Sequence, residues 1–258
     1  MIKFFRKIRQ NSLMENKKGK YLKYAIGEIV LVVIGILFAL SINNWNDQKK
    51  STETELLYYQ RILDDFKLDK QLIGELLEQN NNRIDVSKEI LLDLDSGTKD
   101  KHYLINKFLL AIRSNVYIPR NMTFKDLISS GNLKLLNDIT IKNSLIQYYS
   151  ELENKQLQMN QNRDELAKKI FELINSSIEF GGIQELEYVH QILGSKIIQT
   201  VPQVDWTKDK SSEYYQKFQL VVLFNIAMAD REKQHLLTIN NLIKTPFNLL
   251  EKKDNEHK

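Results

Sequence analysis

Residues 25–42 form one apolar run, AIGEIVLVVIGILFALSI, and this run constrains the chain more than any other feature. As an α-helix it would extend about 27 Å, close to the roughly 30 Å hydrocarbon core of a bilayer. Its single charged residue, Glu28, lies toward one end, where a carboxylate costs less than at the bilayer centre. We therefore predict one transmembrane helix over residues 25–45.

The flanking charges predict the orientation of this helix. Residues 1–24 carry eight Lys and Arg side chains and one acid, a net charge of +7 (8 − 1), whereas the charges directly after the run nearly cancel. Because Lys and Arg near a span stay inside, we expect residues 1–24 to be a basic cytoplasmic flank. Tyr21, Tyr24 and Trp45 are expected at the two headgroup levels. A cleaved signal peptide is the alternative, since Ala39-Leu40-Ser41 has small-x-small spacing, but the length of the run and flank favours an anchor.

The remaining composition narrows the class of protein. Residues 46–258 carry 29 basic and 31 acidic side chains, so the basic character of the chain resides in the flank and does not indicate nucleic-acid binding. The absence of cysteine excludes disulfides, cysteine-ligated zinc and thiol catalysis. Three prolines and nine glycines among 258 residues favour long helices.

Apolar residues spaced three and four apart predict helices over residues 51–94, 138–178 and 211–244, with shorter ones within 103–116, 121–132 and 186–193. The apolar stripe of the helix over residues 51–94 has the spacing of a coiled coil and is interrupted by Lys70, Asn80 and Ser87. The same heptad spacing continues back into the predicted span. Pro246 is expected to start a separate turn. We predict an all-α fold, with one N-terminal transmembrane helix followed by an elongated extracytoplasmic helical bundle over residues 46–250 and a tail at 251–258.

Two stretches together resemble a known family. They are GEIVLVVIGILFALSINNWN, residues 27–46, and TFKDLISSGNLKLLND, residues 123–138, which is followed by Tyr148-Tyr149. The chain is similar in these stretches to uncharacterised bacterial single-span membrane proteins that share a domain of unknown function. The resemblance implies an inner-membrane anchor with a periplasmic helical domain, and it implies no activity or catalytic residue. It is strongest in the N-terminal third, patchy in the middle and looser in the C-terminal third.

No motif in the sequence indicates catalysis. The four histidines, His102, His190, His235 and His257, lack the mutual spacing of a metal site. Ser129-Ser130-Gly131 lacks the spacing of a nucleophile elbow, and no phosphate-binding loop is present. We therefore predict no catalytic, cofactor-binding or metal-binding residues, and a protein that is not an enzyme.

One face of the predicted span is suited to contact with another helix. Glu28, Gly35, Ala39 and Asn46 lie within about 40° of one another on a helix of 3.6 residues per turn. Small residues permit close approach of helices, and intramembrane carboxylates usually face a protein partner. We predict that these four residues form a helix contact in the membrane. The alternative is that Glu28 extends to the headgroups.

Two polar stretches, residues 78–82 (EQNNN) and 153–165 (ENKQLQMNQNRDE), lie within long predicted helices. If those helices pair antiparallel, the two stretches can meet at a wet groove; solvated helix faces are the alternative. The leading functional hypothesis is a non-enzymatic domain that binds or senses a protein partner in the cell envelope, as a homo-oligomer or with an unidentified protein. A small-ligand sensor is the second hypothesis and an enzyme without a recognisable motif the third. Because 24 residues cannot fold into an output domain, a sensor would act through an associated membrane protein.

Overall fold

The computed structural model describes residues 18–182, 184–202 and 204–256, of which 83% are helical and none is in a strand. The helices are α1 (Lys18–Ser96), α2 (Lys101–Ala111), α3 (Met122–Ser129), α4 (Ile139–Ile174), α5 (Glu187–Ile198) and α6 (Glu213–Glu256). Short 3-10 helices lie at Asn132–Leu135 and Trp206–Lys208. The structure divides between Leu57 and Tyr58 into two compact units. The all-α class is therefore confirmed for the described residues.

The first unit contains the apolar run, which lies within α1. Among the described residues, α1 is the one helix long and apolar enough to cross a membrane, and none of its most apolar stretch is buried. Large side chains such as Leu31, Ile36 and Phe38 are exposed. The helix predicted over residues 51–94 is part of α1. The flank up to residue 17, and the side chains of Tyr21 and Tyr24, lie outside the described residues.

The core of the second unit forms where α4 packs along α6. The most apolar stretch of α6 is buried as the sequence predicts, since Phe218 and Val222 are fully inaccessible. The Phe218 ring packs edge to face on the ring of Phe108 of α2. The ring centroids are 5.4 Å apart, within the range of about 4.5–7 Å typical of aromatic pairs. The core is completed by apolar residues of α1, α2 and α4, namely Ile90, Leu94, Leu104, Ile105, Leu166, Ile170 and Leu173.

The segment TFKDLISSGNLKLLND, which carries part of the family resemblance, is held by aromatic and polar contacts. The ring of Phe124 stacks on that of Tyr149 of α4 at a centroid distance of 4.0 Å. The hydroxyl of Tyr58 in α1 donates to Asp126 at 2.9 Å and accepts from Nδ2 of Asn132 at 3.0 Å. These residues therefore fasten α3 and the turn after it to α1 and α4.

The prediction that the last helix ends at Lys244 is wrong. Helix α6 continues through Pro246 to Glu256. A proline inside a helix removes one hydrogen bond and costs about 3 kcal/mol. Here Ile243, Pro246 and Leu250 lie on one buried stripe, with Ile243 and Leu250 fully inaccessible, and the burial of this stripe offsets that cost.

Helix α2 is shorter than predicted, since it ends at Ala111 rather than near Val116. The extended segment that follows is held against α1 by side chains. Gln79 accepts the backbone N–H of Asn115 at 3.4 Å, and Asp69 accepts the backbone N–H of Arg120 at 2.9 Å. Side chains of α1 thus satisfy backbone N–H groups of this extended segment.

Helix α4 ends at Ile174, four residues before its predicted end at Ile178. The chain then turns back so that Gly182 packs against Ile174, where an added Cβ would lie 3.0 Å from the Ile174 side chain. Gly181 has φ +81°, and a Cβ there would lie 2.6 Å from Nζ of Lys101. The positive φ of Gly181 therefore favours glycine there, and the close approach to Ile174 leaves little room for a larger residue at Gly182.

Helix α5 extends five residues beyond the predicted short helix, to Ile198. The short helix predicted from the sequence stops at residue 193. In the structure Gly194, with φ +73°, breaks α5 into two pieces, and the chain resumes helical structure directly after it.

Candidate ligand cleft between α1, α2, α4 and α6

A buried polar network centred on Arg83 of α1 joins α1 to α6. The Arg83 side chain is 4% exposed. Its Nη1 donates to Glu232 Oε2 and to Asn80 Oδ1, both at 2.9 Å, and its Nη2 donates to Asn225 Oδ1 at 3.0 Å. Asn225 in turn donates through Nδ2 to the hydroxyl of Ser87 at 2.9 Å. The network thus occupies a position where the apolar stripes of α1 and α6 are interrupted.

Glu232 is shared by two arginines. Its Oε1 accepts from Nη2 of Arg163 of α4 at 3.1 Å, while its Oε2 is bound to Arg83. Two guanidinium groups and one carboxylate leave a net charge of +1. Burial lowers the pKa of Arg83 from its ordinary value; Glu232 opposes this change, and the nearby charge of Arg163 adds to it. Because a guanidinium stays protonated in proteins, the site holds positive charge that Glu232 only partly compensates.

One donor nitrogen of Arg83, the buried Nε, has no hydrogen-bond partner among the described residues. A buried donor without a partner costs roughly 1–3 kcal/mol. The network therefore combines an excess of positive charge with a buried donor that no described residue accepts.

A cleft of about 370 Å³ opens over this network. Its polar lining comprises Arg83, Arg163, Glu232, Asn162 and, from the segment after α2, Arg113 with Ser114. The rest of the lining is apolar and consists of Ile112, Met159, Leu166, Ala167, Ile170, Phe171 and Met228. The volume lies in the range of about 300–1,000 Å³ that is typical of small-molecule sites.

The charge and polarity of the lining are complementary to those of an organic anion. It contains three guanidinium groups against one carboxylate, and guanidinium forks pair bidentately with carboxylates. The apolar wall suits the hydrocarbon part of such a molecule. Among the described lining residues there is no histidine or lysine beside Ser114.

The four residues predicted to form a membrane contact all lie on the exposed part of α1. Gly35, Ala39 and Asn46 are exposed, and Glu28 is partly buried. A Cβ added to Gly35 would find no atom within 4 Å. This face is open as a helix contact requires, and the contact itself stays a prediction.

The two polar stretches noted in the sequence both reach the network. Asn80 belongs to the first and bonds Arg83; Arg163 belongs to the second, and Glu232 connects the two arginines. Sequence reasoning did not identify Arg83, nor Glu232 as its partner. The available signal was the polar interruption of the α1 stripe at Asn80 and Ser87, the first of which lies one helical turn from Arg83.

Two of the four histidines lie close together although their sequence spacing does not indicate it, and His257 lies outside the described residues. The rings of His102 in α2 and His190 in α5 lie 5.3 Å apart between centroids, and Glu185 lies beside them. Sequence reasoning missed this cluster because its members come from separate elements.

The pKa of His235 is lowered, chiefly by burial and then by the charges of Lys155 and Arg231.

The two serines examined as nucleophiles have local structural roles. The hydroxyls of Ser129 and Ser130 donate to the backbone carbonyl of Asp126, at 3.3 Å and 2.7 Å. They satisfy a carbonyl at the end of α3.

Residues 28–198 match the family of unknown function DUF6090. The match covers about two thirds of the chain. The chain belongs to this family. The DUF6090 match includes Arg83 and Arg163 but ends before α6, which supplies Glu232 and Asn225. Comparison with curated proteins and with solved structures finds no match. The resemblance to a domain of unknown function is thus confirmed, and the interpretation of the cleft rests on its own chemistry.

Proposed function

We propose that this protein is a sensor of small organic anions, anchored by a single span in a bacterial inner membrane. The observation that supports this proposal is the cleft in which Arg83, Arg163 and Glu232 lie beneath an apolar wall. A carboxylate or sulfonate head would bind the guanidinium groups, and its hydrocarbon body would lie on the side chains of α4 and α6. The second hypothesis from the sequence, the small-ligand sensor, therefore becomes the leading one.

The network supports this proposal because it is organised before any ligand binds. Glu232 holds both guanidinium groups in place through bonds of 2.9 Å and 3.1 Å. Preorganisation lowers the ordering cost of binding, which otherwise reduces affinity. Arg163 is 28% exposed, so an incoming anion can reach it without unfolding the network.

Ligand binding to the full chain in detergent tests the proposal. Phenylbutyrate is a suitable probe, with phenylbutanol as its uncharged counterpart, within a panel of aryl and alkyl carboxylates and sulfonates. A ligand that binds only the folded state raises the unfolding midpoint as its concentration increases. We expect phenylbutyrate to raise the midpoint and phenylbutanol to have no comparable effect.

Two arginine variants make this test specific to the cleft. Arg163→Met removes a cleft guanidinium, and Arg231→Met removes an exposed guanidinium of α6 outside the cleft lining. The anion-dependent shift should be lost in the first variant and kept in the second. Equal shifts in both variants, or no Arg163-dependent shift with any member of the panel, would contradict the proposal.

The domain is proposed to face the periplasm, and binding to be passed to an associated membrane protein through the face of Glu28, Gly35 and Ala39. The orientation rests on the +7 charge of residues 1–24. A reporter that is active only in the cytoplasm should be silent when fused after Asn255 and active when fused ahead of residue 1. Activity of the C-terminal fusion would overturn the orientation.

Binding of a protein partner is a second candidate, supported by apolar exposure beside the cleft. Leu110 and Tyr188, 62% and 58% exposed, line a neighbouring depression that shares Ile112 and Arg113 with the cleft. A photocrosslinking residue at Leu110 should then capture an envelope protein that the same residue at exposed Thr238 does not capture. Identical crosslinks at both positions would speak against this candidate.

A further inference from the structure

A second cluster, distinct from the cleft, joins three separate segments of the chain. It comprises His102 of α2, Glu185 of the turn before α5 and His190 of α5. One donor atom from each residue lies within 4.8 Å of the donor atoms of the other two. The closest pair is Nδ1 of His102 and Oε2 of Glu185, at 3.3 Å.

The carboxylate in this cluster is fixed by neighbouring groups. Its other oxygen, Oε1, lies 3.1 Å from Nζ of Lys101, and both side chains are 8% exposed. Lys101 also donates to the backbone carbonyl of Val204 at 2.9 Å. Glu185 is therefore held with one oxygen paired to the lysine and the other directed at the histidines.

A single asparagine fixes the backbone around the cluster. Nδ2 of Asn106 donates to the carbonyl of Glu185 at 2.6 Å and to the carbonyl of His102 at 2.9 Å, while its Oδ1 accepts the N–H of Glu187 at 3.3 Å. The positions of His102 and Glu185 are thus tied through one side chain.

We propose that His102, Glu185 and His190 bind a divalent transition-metal ion of the zinc class. Two imidazoles and one carboxylate form a donor set used by protein zinc sites, whereas Ca²⁺ and Mg²⁺ prefer oxygen donors alone. Zinc bonds of about 2.0–2.2 Å place neighbouring donors roughly 3.3–3.6 Å apart. The His102–Glu185 pair already has this separation. The His102 side chain, 46% exposed, is free to adjust by the remaining ångström or so.

The bound ion would connect α2 to α5 and the turn before it. Three protein ligands leave at least one coordination position for water or another ligand. The positive charge of Lys101 beside Glu185 opposes cation binding, so the site should have modest affinity. Metal binding at this cluster is independent of the proposed anion cleft, since the two share no residue.

Equilibrium dialysis of the full chain against Zn²⁺, without a polyhistidine tag, tests the proposal. After chelator treatment, the unmodified protein should bind one Zn²⁺ per chain. His102→Gln and His190→Gln should each weaken binding by more than the roughly 10–100-fold that loss of an outer-shell partner costs. His235→Gln, which changes a histidine of α6 outside the cluster, should bind like the unmodified chain.

A second measurement separates metal binding from folding. Circular dichroism in the absence of metal should show equal helix content in all three histidine variants, because His102 is exposed and His190 is only partly buried. Zn²⁺ should raise the unfolding midpoint of the unmodified chain and of His235→Gln only. No Zn²⁺ retained by the unmodified chain, or equal affinity in the His102→Gln/His190→Gln double variant, would overturn the proposal.

Discussion

Substitution of Glu232 by glutamine tests the electrostatic role of the buried network. The change keeps the shape of the side chain and removes its charge, so that Arg83, 4% exposed, keeps a positive charge without its counter-ion. Loss of one partner of a buried ion pair typically costs about 3–5 kcal/mol. Arg163 is 28% exposed, so its guanidinium can be hydrated when Glu232 loses its charge. The expected cost therefore comes from Arg83 alone. The glutamine carbonyl can still accept one hydrogen bond, worth about 1 kcal/mol, which leaves roughly 2–4 kcal/mol.

The expected loss is readily measured by thermal or denaturant unfolding. For a unit of about two hundred residues, each kcal/mol shifts the unfolding midpoint by roughly 2–4 °C, so Glu232→Gln should lower the midpoint by about 4–16 °C. Trp206, 1% exposed, reports on the core by fluorescence once the exposed Trp45 is replaced by phenylalanine. Glu165→Gln, an exposed change on α4, serves as the control and should stay within about 0.5 kcal/mol.

A second substitution decides whether the loss comes from uncompensated charge. Adding Arg83→Met to Glu232→Gln removes the unpaired guanidinium, and the double variant should be more stable than Glu232→Gln alone. A cost below about 1 kcal/mol for Glu232→Gln, or a further loss in the double variant, would refute the reasoning.

Three further predictions concern other parts of the chain. Burial raises the pKa of Asp69 from 3.8 to about 6. Between these two pH values the folded state therefore keeps a proton on Asp69 that the unfolded chain releases. The stability that this proton provides is present below about pH 4 and lost as the pH rises through 6, a loss of about 3 kcal/mol. Asp69→Asn should flatten that part of the pH–stability profile, and parallel profiles would contradict the assignment. Gly181→Ala should destabilise by more than about 1 kcal/mol in denaturant unfolding because of its positive φ and close contact, whereas Gly74→Ala, within α1 and without neighbours, should stabilise by about 0.5–1 kcal/mol. In a membrane two-hybrid assay of residues 20–48, Gly35→Ile should reduce association more than Val33→Ile does, and equal losses would show that the predicted contact face has no special role.

The existence of the helices was predictable because apolar spacing is a local property of the sequence. Their ends were not, because they depend on what other segments offer. Gln79 and Asp69 of α1 supply acceptors for the extended segment after α2, and a buried stripe carries α6 through Pro246. Neither effect is visible in a window of ten or twenty residues.

The cleft was predictable only in outline. The sequence predicted that the polar stretches 78–82 and 153–165 could meet at a groove, and it showed the interruption of the apolar stripe at Asn80 and Ser87 without identifying the network there. The pairing of Arg83 with Glu232 joins residues 149 positions apart, and the tertiary fold alone determines it. The histidine cluster was missed for the same reason.

The burial of α6 bears on how the molecule can be divided into fragments. The family match ends at Ile198, yet Phe218, Val222, Leu236 and Ile239 of α6 are fully inaccessible and pack in the core beyond it. A fragment cut at the limits of the match would expose the inner surface of α4 and leave Arg83 without its acid. The family match therefore covers less of the chain than the packed core does. Expression of residues 28–198 alone should yield an insoluble product.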